Sequence, residues 1–256
     1  MRVLVTRPEH AGHETARRLA AMGHEPVAFS LSRAVHDRVA PEQALRHHHG
    51  PLVISSAEAI RAVAPLLSDD AAPLSRPLFA VGDASAKAAG DAGFRDVRTA
   101  DGEGESLADL VAEQTMTTAD QILYLAGKPR SPRFENRLAA KGIRIIVCEC
   151  YRMEAVAWPE AEIEQIFETQ PPHAVLFYSA EAVRLFFQLP LPATAQLILK
   201  QARFLCLSKN VAVAVPEEYQ RFCLVAERSN EGDLLALLPP ETSKLRSPLS
   251  FQVITD

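Results

Sequence analysis

Apolar residues along this chain fall in short runs, each followed by a helix-length stretch in which apolar positions recur every three or four residues. The first run is VLVT over Val3–Thr6; an amphipathic stretch over Ala11–Met22, closed by Gly23, and a second apolar run over Pro26–Phe29 follow. Next come LVIS at Leu52–Ser55, a helical pattern over Ala57–Leu67, LFAV at Leu78–Val81 and a helical pattern over Ala84–Ala92 closed by Gly93. A short run near Val97 and a helical pattern over Ser106–Gln114 complete the series, which starts again at Ile122. Continuous apolar runs of this length read as strands buried on both faces, and the longer periodic stretches as helices. Their regular alternation predicts parallel sheets covered by helices on both sides, the doubly wound α/β class. Gly23, Gly93 and Gly142 stand just past helices, where a left-handed cap needs no Cβ.

The order of elements is also the order of a repeat. Val3–Arg33 reappears at Ile122–Arg152 with an offset of 119 at both ends. Pro51–Val63 matches His173–Phe186, placing Ser56 on Ser179, and Leu78–Ala89 matches Phe204–Val215, placing Gly82 on Ser208. Gly104–Val111 matches Gly232–Leu238. Two homologous halves of about 120 residues follow, one domain per repeat. The repeat units need not be the spatial ones. Leu31–Arg33 and Cys150–Arg152 are equivalent and end the same block, so a cut near residue 120 and an exchange of the first blocks both satisfy the pattern.

Composition narrows the function. A chain of 256 residues with 48% hydrophobic content can bury two ordinary cores. A net charge of −5 argues against nucleic-acid binding, which calls for a basic stripe. An anionic ligand must then be held by local donors. The chain enters a strand at Val3 with no basic leader, and no apolar run reaches membrane-spanning length, so a cytoplasmic protein with no membrane partner is expected. The four cysteines are too few for a secreted disulfide framework, and Cys148 and Cys150, two apart in a strand, read as buried thiols. Arg46-His47-His48-His49 has metal-binding residue types, but adjacent histidines on a helix point in different directions, and no metal is expected. Residues 241–256 read as an appended C-terminal tail.

Chemistry is expected at the carboxyl ends of the strands, where an open parallel sheet binds ligands and helix N-termini aim free N–H groups outward. Ser55-Ser56, Gly82 with Ser85, Tyr178-Ser179 and Ser208-Lys209 follow strands in equivalent places of the two halves. Thr6-Arg7 and Gly127-Lys128, with Arg130, end the two first strands. Each serine can simply cap its helix. Together these residues form an array of N–H, hydroxyl and cationic donors suited to a ligand with several carboxylates or phosphates. Tyr151 ends the strand IIVCECY. It is either an ordinary strand aromatic or, in a cleft, a proton donor. No phosphate loop, dinucleotide fingerprint, nucleophile elbow or zinc spacing is present, so no cofactor is expected.

The blocks VLVTRP (3–8), SSAEA (55–59), AVGDASAK (80–87), GESLADL (104–110), YLAGK (124–128), CYR (150–152), FYSAEAV (177–183) and LCLSKNVA (205–212) resemble the uroporphyrinogen-III synthase family. The resemblance runs over most of residues 1–240. It implies two doubly wound lobes of flavodoxin- or Rossmann-like kind, arisen by duplication and joined by a two-strand linker: residues 1–32 plus 154–256, and residues 33–153. It implies a cofactor-free monomer acting on hydroxymethylbilane, a linear tetrapyrrole with eight carboxylates, with Tyr151 as proton donor and the donor array as substrate site. Ala126, Tyr178 and the Ser208 loop, which lacks a glycine, depart from the family pattern. A synthase-like module that binds a tetrapyrrole or another polyanion without turnover is the alternative.

Overall fold

A computed structural model describes residues 1–67, 71–115, 121–169 and 171–239; the tail over 241–256 lies outside them. The described strands are β1 (Arg2–Val5), β2 (Glu25–Ala28), β3 (Ser32–His36), β4 (Leu52–Ile54), β5 (Leu78–Ala80), β6 (Val97–Thr99), β7 (Ile122–Lys128), β8 (Ile145–Ala155), β9 (Ala174–Phe177), β10 (Arg203–Cys206) and β11 (Cys223–Val225). The chain divides into two compact units, Met1–Arg33 with Ala155–Asp256, and Ala34–Glu154.

The first unit holds a sheet in the order β11-β10-β9-β1-β2, parallel at every pairing. The second holds the order β3-β8-β7-β4-β5-β6, parallel from β8 through β6. Matched through the repeat, β1 corresponds to β7, β2 to β8, and β9, β10 and β11 to β4, β5 and β6. The five-strand order is then the same in both sheets, with β3 added at one edge of the second. Each sheet is completed by strands from the opposite half of the sequence. The strand order reverses between β1 and β9 in one sheet and between β7 and β4 in the other. A sheet of this kind opens a crevice for ligands at such a point, beyond the carboxyl ends.

The apolar runs form strands because both faces of each sheet are covered. In the first unit Val3, Val5, Leu176 and Leu205 are buried on one face, and Leu4, Val175, Phe177 and Phe204 on the other. The second face is aromatic: Phe177 packs 5.4 Å from Phe186 and 6.0 Å from Phe204, centroid to centroid. Each such buried ring contributes about 1.5–3 kcal/mol. Trp158 stacks on Phe29 at 4.3 Å and donates from Nε1 to the Ser30 carbonyl at 2.9 Å. In the second unit Leu52, Ile54, Leu123 and Leu125 face one cluster, while Val53, Ile122 and Tyr124 face the other.

The predicted helices over Ala11–Met22 and Ser106–Gln114 are observed at Glu9–Ala21 and Gly104–Thr115. The histidine run ends the helix Val39–His47, where His47 Nδ1 lies 2.7 Å from the Gln43 carbonyl oxygen. Among the described residues, no group of three or more His, Cys, Asp or Glu side chains is placed to hold a metal ion, and no helix is long and apolar enough to cross a membrane.

Candidate functional site

In the second unit two serines follow β4, and β7 and β8 each carry a tyrosine; Tyr151 does not end its strand as expected, because β8 runs on to Ala155. Tyr124 lies within β7 and is 1% exposed; its hydroxyl sits 2.6 Å from the Ser55 hydroxyl just past β4. Ser56 Oγ accepts from the Glu58 backbone N–H at 3.1 Å, in the first turn of the helix Ala57–Leu67. The Ser56 hydroxyl also acts to lower the pKa of the Tyr151 phenol. The Glu58 carboxylate bridges His36 Nε2 at 2.7 Å and Arg61 at 2.8 Å.

A bulge aims Tyr151. Along β8, Ile145 and Val147 pack on one side of the sheet and Ile146, Cys148 and Cys150 on the other. Strict alternation would send Tyr151 to the side of Val147. Instead the register slips, pairing Ala126 with Glu149 and Gly127 with Tyr151, so that Cys150 is the extra residue. Cys150 and Tyr151 therefore both pack against the cluster around Leu123 and Leu125. Bulges commonly re-aim a side chain next to a site. Burial raises the Tyr151 pKa above the ordinary phenol value, the Ser56 hydroxyl opposes this, and Cys150 and Glu58 add to the rise. At neutral pH the phenol holds its proton.

The cations of this rim are paired with acids. Lys128 is exposed, with Nζ 3.6 Å from Glu149, and Arg130 binds Glu135 at 2.7 Å and Glu149 at 2.8 Å. Glu149 is held below the usual carboxylate range, mainly by Arg130. Gly82 precedes the helix Asp83–Asp91 in extended conformation, where a Cβ would come within 3.3 Å of the Gly102 Cα. Ser85, in the first turn of that helix, is 5% exposed.

The first unit builds its rim around Glu231, at the start of the helix Glu231–Leu235. The Glu231 carboxylate accepts from Arg7 at 3.0 Å, from the Tyr178 hydroxyl at 2.7 Å, and from Thr15 and Arg18. The Arg7 guanidinium lies 4.2 Å from the Tyr178 ring centroid, a cation–π contact. Burial opposes the charge on Glu231, but the two hydroxyls and two guanidiniums outweigh it and lower the pKa. Burial, with Glu231 adding to it, raises the Tyr178 phenol. Thr6 is 1% exposed and donates to the Leu176 carbonyl at 2.6 Å. Ser179 caps the helix Ala180–Phe187 by accepting from the Ala182 N–H at 3.1 Å. Ser208 precedes the helix Lys209–Val213 without a side-chain cap, and Lys209 is exposed.

The family model "Uroporphyrinogen-III synthase HemD" matches residues 13–236. The chain belongs to the uroporphyrinogen-III synthase family. Members of this family are enzymes of tetrapyrrole biosynthesis. A relative from Salmonella typhimurium, named uroporphyrinogen-III synthase, is 26% identical over 246 residues, covering 93% of this chain and all of that one. Two solved structures share the fold. Uroporphyrinogen-III synthetase from Helicobacter pylori has a TM-score of 0.64 at 15% identity, covering 93% of this chain and 98% of that one. A mutant uroporphyrinogen III synthase from Thermus thermophilus has a TM-score of 0.55 at 18% identity, covering 92% and 96%.

Of the residues singled out in the sequence, Ser56, Gly127 and Tyr151 come together in the second unit, with Ser55 joined to Tyr124. Arg7 and Tyr178 come together in the first, whereas the hydroxyls of Thr6 and Ser179 are engaged with backbone. Sequence reasoning missed Tyr124, Glu58, Glu149 and Glu231. Tyr124 was hidden inside an apolar run. Glu231 had a faint signal, since Asn230-Glu231-Gly232 matches the acid-rich stretch before Gly104 in the repeat.

Proposed function

We propose that this protein cyclises hydroxymethylbilane to uroporphyrinogen III, with loss of water and inversion of the terminal pyrrole ring, and that Tyr151 is the proton donor. The observation that carries the reading is the Tyr151 phenol: turned by a bulge onto the face of Leu123 and Leu125, seated over Gly127, and kept protonated by burial.

The chemistry asks little of the protein beyond a proton and a shape. Tyr151 donates to the hydroxyl of the hydroxymethyl group, which leaves as water, and the electron-rich pyrrole stabilises the cation that remains. The terminal pyrrole attacks through its already substituted carbon, giving a spiro intermediate. That intermediate opens and recloses with the ring inverted, and a proton leaves as the macrocycle becomes neutral, balancing the one supplied. Orientation is then the main catalytic device. Ser55, Ser56, Gly82, Ser85, Lys128, Arg130, Arg7, Tyr178, Ser208 and Lys209 are each proposed as carboxylate-binding residues for the substrate. Glu149 and Glu231 hold three of these cations in place until a carboxylate competes for them. The same reading has a cytoplasmic monomer working without cofactor; a two-chain mass by sedimentation would remove the monomer.

The experiment is incubation with fresh hydroxymethylbilane, oxidation, and chromatographic separation of the uroporphyrin isomers. Type III from the wild type, and turnover about tenfold to a hundredfold slower in Tyr151→Phe, are expected, at or below the lower end of general-acid contributions. Type I alone, as in a protein-free control, would make the non-catalytic binder the better reading. Unchanged turnover in Tyr151→Phe would take the phenol out of the mechanism.

A further inference from the structure

We infer that Gly127 is a positioning residue for Tyr151: the space left by its missing side chain is the seat of the phenol ring. The inference rests on the reading of Tyr151 as proton donor. A Cβ built on Gly127 would lie 2.2 Å from Tyr151 Cζ, 2.6 Å from Cε2 and 2.5 Å from the hydroxyl oxygen. Non-bonded carbons prefer about 3.5–4.0 Å, so a methyl group and the ring cannot occupy this place together.

The backbone does not itself require glycine here. Positive φ belongs to Gly23, Gly93, Gly102 and Gly142 and not to Gly127. The demand comes from one neighbouring side chain. The bulge at Cys150 supplies the other half of the device, because it sets Tyr151 directly opposite Gly127 and turns the ring onto the face that Gly127 leaves bare. In the repeat, at the offset of 119, Pro8 stands for Gly127 and Ser32 for Tyr151. Ring and seat therefore occur together in one half and are absent together from the other.

The test is Gly127→Ala, alone and combined with changes at Tyr151. For Gly127→Ala we expect kcat for the type III product to fall at least as far as in Tyr151→Phe, about tenfold to a hundredfold, with a change in KM of less than about threefold. Adding Tyr151→Phe should slow it no further, because the two changes remove the same function. The melting temperature of Gly127→Ala should drop by several degrees, and Gly127→Ala/Tyr151→Ala should melt where Tyr151→Ala melts. A Gly127→Ala penalty that persists in full without the ring, or no penalty at all with it, would overturn the seat. Should Gly127→Ala fail to fold, folding of the double variant would establish the same steric conflict, and failure of both would refute it. The proton donor is judged apart from this: normal turnover in Tyr151→Phe, with the melting pattern intact, would remove the catalytic role of the phenol and leave the seat.

Discussion

Replacing Glu231 with alanine removes one acceptor from four donors at once. Arg7, Arg18, Thr15 and Tyr178 all converge on its carboxylate. Hydrogen bonds to a charged group are worth about 1.5–3 kcal/mol each, which would sum to far more than the site can contribute. Two terms reduce the sum. Desolvating the carboxylate costs several kcal/mol, and the Glu231 side chain is only 15% exposed. The Arg18 side chain, by contrast, is 59% exposed, where an ion pair is worth about 0–1 kcal/mol. The net loss should be about 2–4 kcal/mol, most of it from Arg7 and Tyr178 left without their acceptor. For a chain of this size that lowers Tm by roughly 4–16 °C.

The loss must also depend on pH in one direction. The pKa of Glu231 is lowered in the folded state, so its contribution is complete above the unfolded carboxylate value, about 4.3, and disappears as pH falls through the lower folded value. The wild type should melt well above Glu231→Ala at pH 7, and the gap should close under strongly acid conditions. Differential scanning calorimetry of both proteins between pH 3 and 7 provides the check. A gap below about 2 °C at neutral pH would mean that the cluster adds no more than a surface pair. A gap that widens on acidification would reverse the reasoning.

Two further outcomes follow from the titrating groups. Cys148 and Cys150 are pushed up by burial to about 11 and about 12, and burial raises Cys206 as well; at pH 8 iodoacetamide should modify Cys223, the least enclosed thiol, well before these three. Mass spectrometry of the native protein gives the order, and rapid labelling of Cys150 would contradict its burial. Because the Tyr151 pKa is raised, kcat should not fall between pH 7 and about 9.5 for want of the acid; an alkaline limb centred near pH 8 would point to a different proton donor.

The strands were legible because burial on both faces leaves an uninterrupted apolar run, as in Leu52–Ile54 and Ala174–Phe177. Edge strand β3 was not, because none of Ser32–His36 is fully buried and its residues carry no such run. Hydroxyl and cationic residues at strand ends could be read from their position after each run. Their acidic partners could not: Glu231 lies 224 residues from Arg7, and only the fold brings them together. Glu149 alternates onto the side of Ile145 and Val147, and nothing in the sequence shows that Lys128 and Arg130 reach it there. The bulge at Cys150 left one trace, two consecutive residues, Cys150 and Tyr151, that pack on the same side of a strand with a two-residue period. In a single sequence, that break is indistinguishable from an ordinary partly exposed aromatic.

The four tyrosines of the chain offer an argument from elimination. A phenol that gives its proton to a substrate oxygen must hold that proton, reach a surface, and have no stronger acceptor already in place. Tyr124 and Tyr219 are 1% and 3% exposed, which closes them to a ligand without rearrangement. Tyr178 is half-buried but points its hydroxyl at the Glu231 carboxylate, 2.7 Å away and anionic at neutral pH. A charged acceptor at that distance holds the phenol hydrogen more strongly than a neutral alcohol could. Tyr151 differs from the buried pair in exposure and from Tyr178 in having no charged acceptor at its hydroxyl. It is partly exposed within β8, and the group whose influence opposes burial there is the neutral hydroxyl of Ser56, a side chain able both to accept and to donate. Of the four phenols, Tyr151 is therefore the one whose surroundings agree with the role proposed for it above.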